Sequence, residues 1–549
     1  MKRRWNIALA PLSIASLVLA ALITPGEALR ADDALLPADR SIPEVIDHYI
    51  NAKLERLNVQ PASPASDANL QRRTMLDLVG RIPAAVEARQ YTESNEPAKR
   101  EQLVDRLLES PAFVRHQANE FDTLLMYGTK MSLNDYLQEA FAENRPWDQM
   151  FREMIVGQED DQEQKGAIQF VKGRIDDLDK LVNDTSVVFF GVNVSCAQCH
   201  DHPLVLEWTQ NHFYGMKSFF NRSFDNGGFL GEHEYGDVSY QTPSGEKRDA
   251  RLMFLTGTVL EEPEMEPPSE EEKKAQKKLL EELKKQKKAP QPAEYSRRER
   301  LVEIALEVSQ REFFAKAIVN HLFYRFYGNG LVMPIDQMHP ENPPSHPELM
   351  DWLARDLIAH NYDLKRLIRG LVLSDAYARS SRWLGEGRPL NSTFAVMTVR
   401  PLSPNQYATT LKMGSMSPDH FEAGMTSDDI DNRAGGVAKN ASSIARLFDQ
   451  PREDFQVSVT EALLLSNSER IADDLLRDAN DSLVGKLKTI EDDRQLAETA
   501  VLNVFARPAD DEEVKQLTAY LAERKDQREA AIRQVVWALL AASENRFNY

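Results

Sequence analysis

The five residues Cys196-Ala-Gln-Cys199-His200 have the types and spacing that are typical of c-type haem attachment. Each cysteine forms a thioether bond to one vinyl carbon of the porphyrin, and the two-residue gap lets both sulfurs reach one edge of the macrocycle. The histidine that follows is placed to ligate the iron from the proximal side. The sequence therefore predicts haem c as a cofactor, with Cys196 and Cys199 as covalent attachment points and His200 as an axial iron ligand.

Two other kinds of site fit the same cysteines. A C-x-x-C pair also forms redox or structural disulfides, which need only the two thiols. A zinc or iron site would use both thiols together with His202 and one remote ligand, either His212 or His233. With either site, the protein would be a non-haem scaffold or binding protein of the cell envelope, and the sequence leaves both alternatives open.

A haem held by His200 needs a sixth iron ligand or an open coordination position. The nearest candidates along the chain are His202, His212, Met216 and His233. His202 lies only two residues from His200, which suits a hydrogen bond to a ligand better than the opposite face of the ring. A methionine ligand would raise the potential and suit electron transfer, whereas an open position would suit small-molecule chemistry.

The elements that must position this motif are mainly helical. Apolar residues recur at helical spacing through residues 42–225 and 300–549, as in Lys99–Leu108. Residues 226–260 instead contain helix-breaking glycines and a run at 251–260 that predicts a strand. We therefore predict a mainly α protein with two helical domains, 42–225 and 300–549, and a small β element between them at 226–260.

The segment at 261–299 is dense in charge and poor in apolar residues. Ser269 and Glu272 form a candidate capping box at the start of a helix. Pro290 and Pro292 end that helix. This composition predicts an exposed, charged helical linker between the β element and the second helical domain.

Further local patterns predict two helix starts and leave the secondary structure of one segment open. A capping box is predicted for Ser345 with Glu348, and Asp510 and Glu513 are predicted to start a later helix. Residues 185–195 are rich in β-branched residues, and periodicity does not decide there between a buried helix and a strand.

His346 lies in the run Pro-Pro-Ser-His-Pro-Glu. Its ring could serve as a ligand or as an acid–base group, although Ser, Pro and Glu all favour a helix start. A third hypothesis is therefore a hydrolase-like activity on exported polymers. The chain lacks the common hydrolase, P-loop and zinc-protease motifs, so whether the protein is an enzyme is not decided.

The N-terminus has the pattern of a secretory signal peptide. Three basic residues, 2–4, precede an apolar stretch at 5–23, and small residues follow. We predict a signal peptide at 1–31, cut after Ala28 or Ala31, and export to the periplasm or cell envelope. Contact with a membrane is expected only through this segment, if it stays uncleaved.

The net charge and the hydrophobic fraction of the chain limit which partners and which kind of fold are expected. The formal charge is −20 over 549 residues, so phosphate backbones repel the protein and nucleic acid is not expected as a partner. The expected partner is an unidentified redox or envelope protein. The hydrophobic fraction of 42% is large enough to build a sizeable core.

Residues 196–220, CAQCHDHPLVLEWTQNHFYGMKSFF, resemble the cytochrome-c-like domain (PSCyt type) of a planctomycete-type exported family of unknown function. Residues 72–83 and 103–108 are similar to the same domain. The C-terminal half resembles the partner domain (PSD type) that usually follows, through these residues: Asn320, Gly328, Gly330, Leu331, Val332, Pro334, Asp336, 342–349, Ser374, Tyr377 and 537–544.

The resemblance covers about residues 42–549, apart from 226–299, and implies an exported c-type cytochrome-like protein. The chain departs from the family's pattern in two ways. The separate N-terminal cytochrome module with its own C-x-x-C-H is absent, and His212 stands where relatives often have an acidic residue.

Overall fold

The computed structural model describes residues 35–201, 205, 208–263, 267–451, 461 and 468–549. The predicted signal peptide and His202 lie outside the described residues. Within the described ranges, no helix combines the length and the apolar character that a membrane span requires.

Short amphipathic helices build the N-terminal part of the chain, before the cysteine motif and directly after it. In α4, which has the predicted bounds Lys99–Leu108, the apolar residues of one face are buried and the charged face meets solvent. Among the described residues of this part, the α-helices are α1 (Ile42–Leu57), α2 (Asp67–Val79), α3 (Ala85–Glu93), α4 (Lys99–Leu108), α5 (Pro111–Leu125), α6 (Asn134–Ala142), α7 (Trp147–Val156), α8 (Gln169–Lys172), α9 (Leu178–Phe190) and α10 (Gln210–Ser218).

Two small antiparallel pairs follow, which confirms the predicted β element. Strand β1 (Ser223–Asn226) pairs with β2 (Phe229–Glu232), and β3 (Ser239–Gln241) pairs with β4 (Lys247–Asp249). The turn between β1 and β2 is Gly227-Gly228, where both residues have positive φ, 68° and 116°.

The strand predicted at 251–260 is wrong. Met253 and Val259 form only an isolated bridge, because the chain reverses at Gly257, whose φ is 83°. The Gly257 N–H donates to the carbonyl oxygen of Phe254 at 2.9 Å and closes the turn. Residues 252–255 are buried, with Phe254 packed against Phe190 of α9 at 5.2 Å between ring centroids, whereas Val259 is exposed.

The charged segment forms α11 (Glu270–Gln286). Its predicted capping box is confirmed, since Ser269 and Glu272 exchange side-chain and backbone hydrogen bonds. None of the residues of α11 is buried, as expected of an exposed helix.

The C-terminal part is again helical. Its elements are α12 (Arg297–Leu306), α13 (Arg311–Tyr327), α14 (Pro347–Ala359), α15 (Leu364–Leu373), α16 (Asp375–Ala378), β5 (Arg400–Pro401), α17 (Pro404–Ser415), α18 (Ser427–Ala445), α19 (Glu469–Leu475), α20 (Leu483–Lys488), α21 (Asp493–Phe505), α22 (Asp511–Glu523), α23 (Arg528–Leu540) and β6 (Phe547–Asn548).

The helix start predicted at Asp510 and Glu513 is confirmed, and the two residues form a capping box there. The box at Ser345 is wrong, because the residue that caps α14 is His346 and no side-chain cap bond is present. The Ser345 hydroxyl lies 3.1 Å from Nδ1 of His346, so it is engaged beside the helix start.

The two helical parts share their cores, and Ala38–Tyr549 form one compact unit. Phe314 of α13 packs between rings of the N-terminal part, with ring centroids 5.0 Å from Phe151 and 6.2 Å from Trp147. Conversely, Leu76 of α2 belongs to the apolar core built by the last helices. The prediction of a mainly α fold, with a small β element between two helical regions, is confirmed.

Candidate functional site

The two cysteines lie on one tight turn at the protein surface. Residues 195–198 form a single turn of 3-10 helix directly after the loop that follows α9. Its only buried side chain is Ala197, which anchors the turn, while Cys196 and Cys199 are exposed. Neither thiol forms a disulfide in this structure, so both sulfurs are accessible to a reactive group from outside.

The exposed ring of His200 is held at one of its two nitrogens. Its Nδ1 lies 2.7 Å from the carbonyl oxygen of Asp201, and since a carbonyl only accepts, Nδ1 carries the proton. The lone pair is then on Nε2, which is the arrangement that metal-bound histidines adopt. The Asp201 carboxylate in turn accepts from the backbone N–H of Gln210 at 3.4 Å, which ties the motif to the start of α10.

Asn193 connects the motif to the C-terminal part of the chain. Its side-chain oxygen accepts from the N–H and the hydroxyl of Ser195, at 3.1 and 2.6 Å. Its side-chain nitrogen donates to the carboxylate of Asp336 at 3.0 Å, and its backbone N–H donates to the Asp336 carbonyl at 2.8 Å. The entry into the turn is therefore fixed by a residue that lies 143 positions further along the chain.

Gln198 fixes the other end of the turn. Its amide donates to the carboxylate of Asp179 in α9 at 2.8 Å. Its carbonyl accepts from the Gln210 amide at 3.1 Å and from the Tyr214 hydroxyl at 3.2 Å, both in α10. Burial, followed by the charges of Asp179 and Cys199, raises the pKa of Tyr214, so this hydroxyl stays a donor.

Aromatic rings flank the turn. Tyr214 stacks on Tyr240 of β3, with ring centroids 4.3 Å apart and planes within 6°. Trp208, just before α10, meets His339 edge to face at 5.9 Å. Tyr214, which donates to Gln198 and stacks on Tyr240, therefore joins the cysteine turn to the β element.

The other predicted ligands have separate surroundings. Nδ1 of His212 lies 3.2 Å from the backbone nitrogen of Thr209, so this ring caps α10, and burial lowers its pKa. Met216 is fully buried in the core face of α10. His233 stacks on Phe224 at 4.2 Å, and burial lowers its pKa as well.

Within the part of the chain that the structure describes, no three His, Cys, Asp or Glu side chains are grouped to hold a metal ion. His202, the ligand predicted nearest to the motif, lies outside the described residues.

His346 is a buried, neutral ring. Burial, with the nearby charges of Lys53 and Arg56, lowers its pKa to about 3. Besides the Ser345 hydroxyl, its neighbour is Phe394, with ring centroids 5.4 Å apart. His346 therefore lies at the start of a helix, inside the core.

The sequence did not single out Asn193, Gln198 or Asp179 as residues of the site. Polar residues of these types are common in an acidic chain, and only contacts between distant elements show their roles. Asp336 was noted, but only among the residues that carry the family resemblance.

Residues that carry the resemblance to the two domains meet each other in the structure. The Tyr377 hydroxyl donates to the carboxylate of Asp77 at 2.6 Å, and Asp336 accepts from Asn193, which lies just before the residues that resemble the cytochrome-like domain. These residues therefore join the two helical parts.

Two family models match the chain. The first, PSCyt2, protein of unknown function (DUF1549), matches residues 45–224. The second, PSD1, protein of unknown function (DUF1553), matches residues 297–521. No curated protein and no solved structure matches the chain at a significant level. The chain therefore belongs to the proteins in which a PSCyt2 domain is followed by a PSD1 domain, both of unknown function.

Proposed function

We propose that this protein is an exported c-type haem protein with a role in electron transfer or haem-based redox chemistry. The observation that carries the proposal is the turn at 195–200. It presents two free, exposed thiols, together with an imidazole whose Nδ1 is already bonded to a backbone carbonyl. A haem attached there would supply a one-electron couple at its iron.

Each residue of the turn has one task in this proposal. Cys196 and Cys199 would hold the haem through thioether bonds, and Nε2 of His200 would ligate its iron. The Asp201 carbonyl keeps the proton on Nδ1, which fixes the tautomer and the orientation of the ring. The hydrogen bonds of Asn193 keep the start of the turn in place.

The charge of the chain favours a basic redox partner. A net charge of −20 attracts a cationic protein and accelerates their encounter at low ionic strength. The same charge repels nucleic acid.

A visible absorption spectrum of the full chain, matured in a host with haem-ligating machinery, tests the proposal. The expected result is a pyridine haemochrome band, and a haem stain that survives denaturing electrophoresis. His200→Ala removes the axial ligand and should change the iron spectrum, whereas His48→Ala, at an exposed histidine of α1, should leave it unchanged. A colourless protein with two reactive thiols would contradict the proposal.

The same sample separates the alternatives. A thiol count of zero without haem would indicate a disulfide, and stoichiometric zinc or non-haem iron by elemental analysis would indicate a metal clip. The proposed export rests on the basic residues and the apolar stretch at 2–23. N-terminal sequencing of the mature protein should show cleavage after Ala28 or Ala31.

A further inference from the structure

A cavity of about 590 Å³ lies next to the cysteine turn. Its walls come from three helices, with Phe121 from α5, Val187 and Val188 from α9, and Leu322 from α13. Small-molecule sites have volumes of roughly 300–1,000 Å³ and mostly apolar walls with a few polar groups. The size and the walls of this cavity therefore suit a flat apolar molecule of one or two rings.

The cations that line the cavity are paired with carboxylates. Arg174 binds Asp184 at 2.6 Å, and Arg325 lies 3.9 Å from Glu120. The remaining carboxylate, Asp336, accepts from Asn193. Because the positive charges are balanced, an anionic ligand gains little here and a neutral ligand is favoured.

His321 provides a hydrogen-bond acceptor in this wall. The ring is buried, and burial lowers its pKa, so it is neutral. Its Nε2 donates to the carbonyl oxygen of Val187 at 3.4 Å, which leaves the lone pair on Nδ1. With the Asp336 carboxylate in the same lining, the polar groups of the cavity include two acceptors. A ligand that donates a hydrogen bond matches them.

The cavity adjoins the cysteine turn through shared residues. Asn193 and Asp336 both line the cavity, and Asn193 also holds the backbone and the hydroxyl of Ser195, one residue before Cys196. We propose that this cavity is a ligand site for a neutral, mainly apolar ring compound that carries a hydroxyl group, of the phenol and quinol class. A redox role of such a ligand rests on the proposed function of the protein, whereas the binding of the ligand does not.

Titration of the mature full-length protein with 2-naphthol, followed by the fluorescence of the probe, tests the site. Saturable binding of one molecule per chain is expected. The matched probe 2-methoxynaphthalene lacks the donor and should bind about tenfold more weakly or less well still, because it cannot donate a hydrogen bond to the His321 ring or the Asp336 carboxylate. Equal affinity for the two probes would overturn the hydroxyl assignment.

Two substitutions that narrow the cavity locate the binding. Val187→Trp fills it from α9, and Thr123→Trp narrows it from an exposed position of α5 that tolerates a large side chain. Each substitution should weaken the binding of 2-naphthol by at least about tenfold, because a filled cavity excludes the naphthol ring. Val308→Trp is the control, since this residue is 74% exposed and lies outside the cavity.

Thermal unfolding of each variant shows that it is folded. Folded Val187→Trp and Thr123→Trp proteins that bind 2-naphthol as tightly as the Val308→Trp protein would overturn the site.

A protein with both cysteines changed to alanine separates this inference from the proposed function. The lining does not include the thiols, so the haem-free variant should bind 2-naphthol with an unchanged Kd. Loss of binding in that variant would contradict a site that is independent of the thiols. A wild-type protein without haem that still binds 2-naphthol would leave the inference standing while the haem proposal fails.

Discussion

At the scale of single residues, Asp77 joins the two family domains. Its buried carboxylate accepts from the Tyr377 hydroxyl at 2.6 Å, from both terminal nitrogens of Arg400 at 2.8 and 3.0 Å, and from the Asn548 amide at 2.9 Å. A buried charge is tolerated where it is paired and its lone pairs are filled. One aspartate of α2 therefore holds three separate positions of the C-terminal part.

Removal of this carboxylate should destabilise the whole protein. Asp77→Ala leaves Arg400 without its partner, and breaking a buried pair in this way costs about 3–5 kcal/mol of unfolding free energy. Urea unfolding measures this loss. The control is Asp375→Ala, whose side chain is 88% exposed and should change stability by no more than about 0.5 kcal/mol. An equal effect of the two substitutions would contradict the role of Asp77.

Two buried histidines should make the fold sensitive to acid. Burial lowers the pKa values of His116 and His346 to about 3, against an unfolded value of about 6.5. Between these two values the unfolded chain binds more protons than the folded one, so the unfolding free energy falls as the pH drops from 7 towards 4. The limiting slope is about 1.4 kcal/mol per pH unit for each histidine.

Urea unfolding at pH 7, 6, 5 and 4 measures this dependence. The double substitution His116→Gln and His346→Gln should flatten it, because the variant has lost both buried titrating rings. The variant His48→Gln, at an exposed site, should keep the slope of the wild type. An unchanged slope in the double variant would show that other groups cause the acid sensitivity.

At the scale of elements, local signals predicted what local interactions decide. The apolar face of α4, the capping box of Ser269 and the helix start at Asp510 depend on residues three or four positions apart, and all three are as expected. Residues 185–195 could not be assigned from periodicity. They contain the end of α9 at Phe190 and a loop, because Phe189 and Phe190 are buried among rings from other helices.

Both wrong predictions failed because contacts with residues far along the chain determine the local structure. Ser345 does not cap α14, because its N–H donates to the carbonyl of Leu331 at 2.6 Å and its carbonyl accepts from Lys53 at 2.7 Å. These bonds fix Ser345 one residue before the cap. The run at 251–260 turns back on itself at Gly257, and its buried residue Phe254 packs against Phe190 of α9 rather than extending a sheet.

The candidate site follows the same rule. Its thiols and imidazole are adjacent in sequence, so the sequence shows them together. Asn193 and Asp336 are 143 positions apart, and no local pattern joins them.

Hydrogen exchange should separate the exposed helix α11 from the shared core. None of its residues is buried, and its contacts with the β element are few, such as the hydrogen bond from the Asn226 amide to the Leu280 carbonyl, so its amides should exchange fast. The amides of α13, which has the same length and eleven buried residues, should exchange only with global unfolding. Exchange followed by mass spectrometry measures both peptides. Equal protection of α11 and α13 would contradict an exposed α11.

At the scale of the whole molecule, the two family domains are expected to fold together. Phe314 of α13 lies in the aromatic core of the N-terminal part, and Leu76 of α2 lies in the core of the C-terminal part. Residues 38–260 and 297–549, expressed separately, should therefore each lack a cooperative thermal transition, whereas the full chain shows one. Circular dichroism measures all three. A fragment that unfolds cooperatively alone would show that its core is complete without the other.

The central claim concerns two sulfurs and one porphyrin, and mass spectrometry of the peptide that contains residues 196–200 tests it most directly. The protein is purified from a haem-maturing host, treated with an alkylating reagent and digested. The proposal predicts a peptide that carries the mass of one haem, with neither Cys196 nor Cys199 alkylated. The same peptide with both cysteines alkylated and no added haem mass would contradict it.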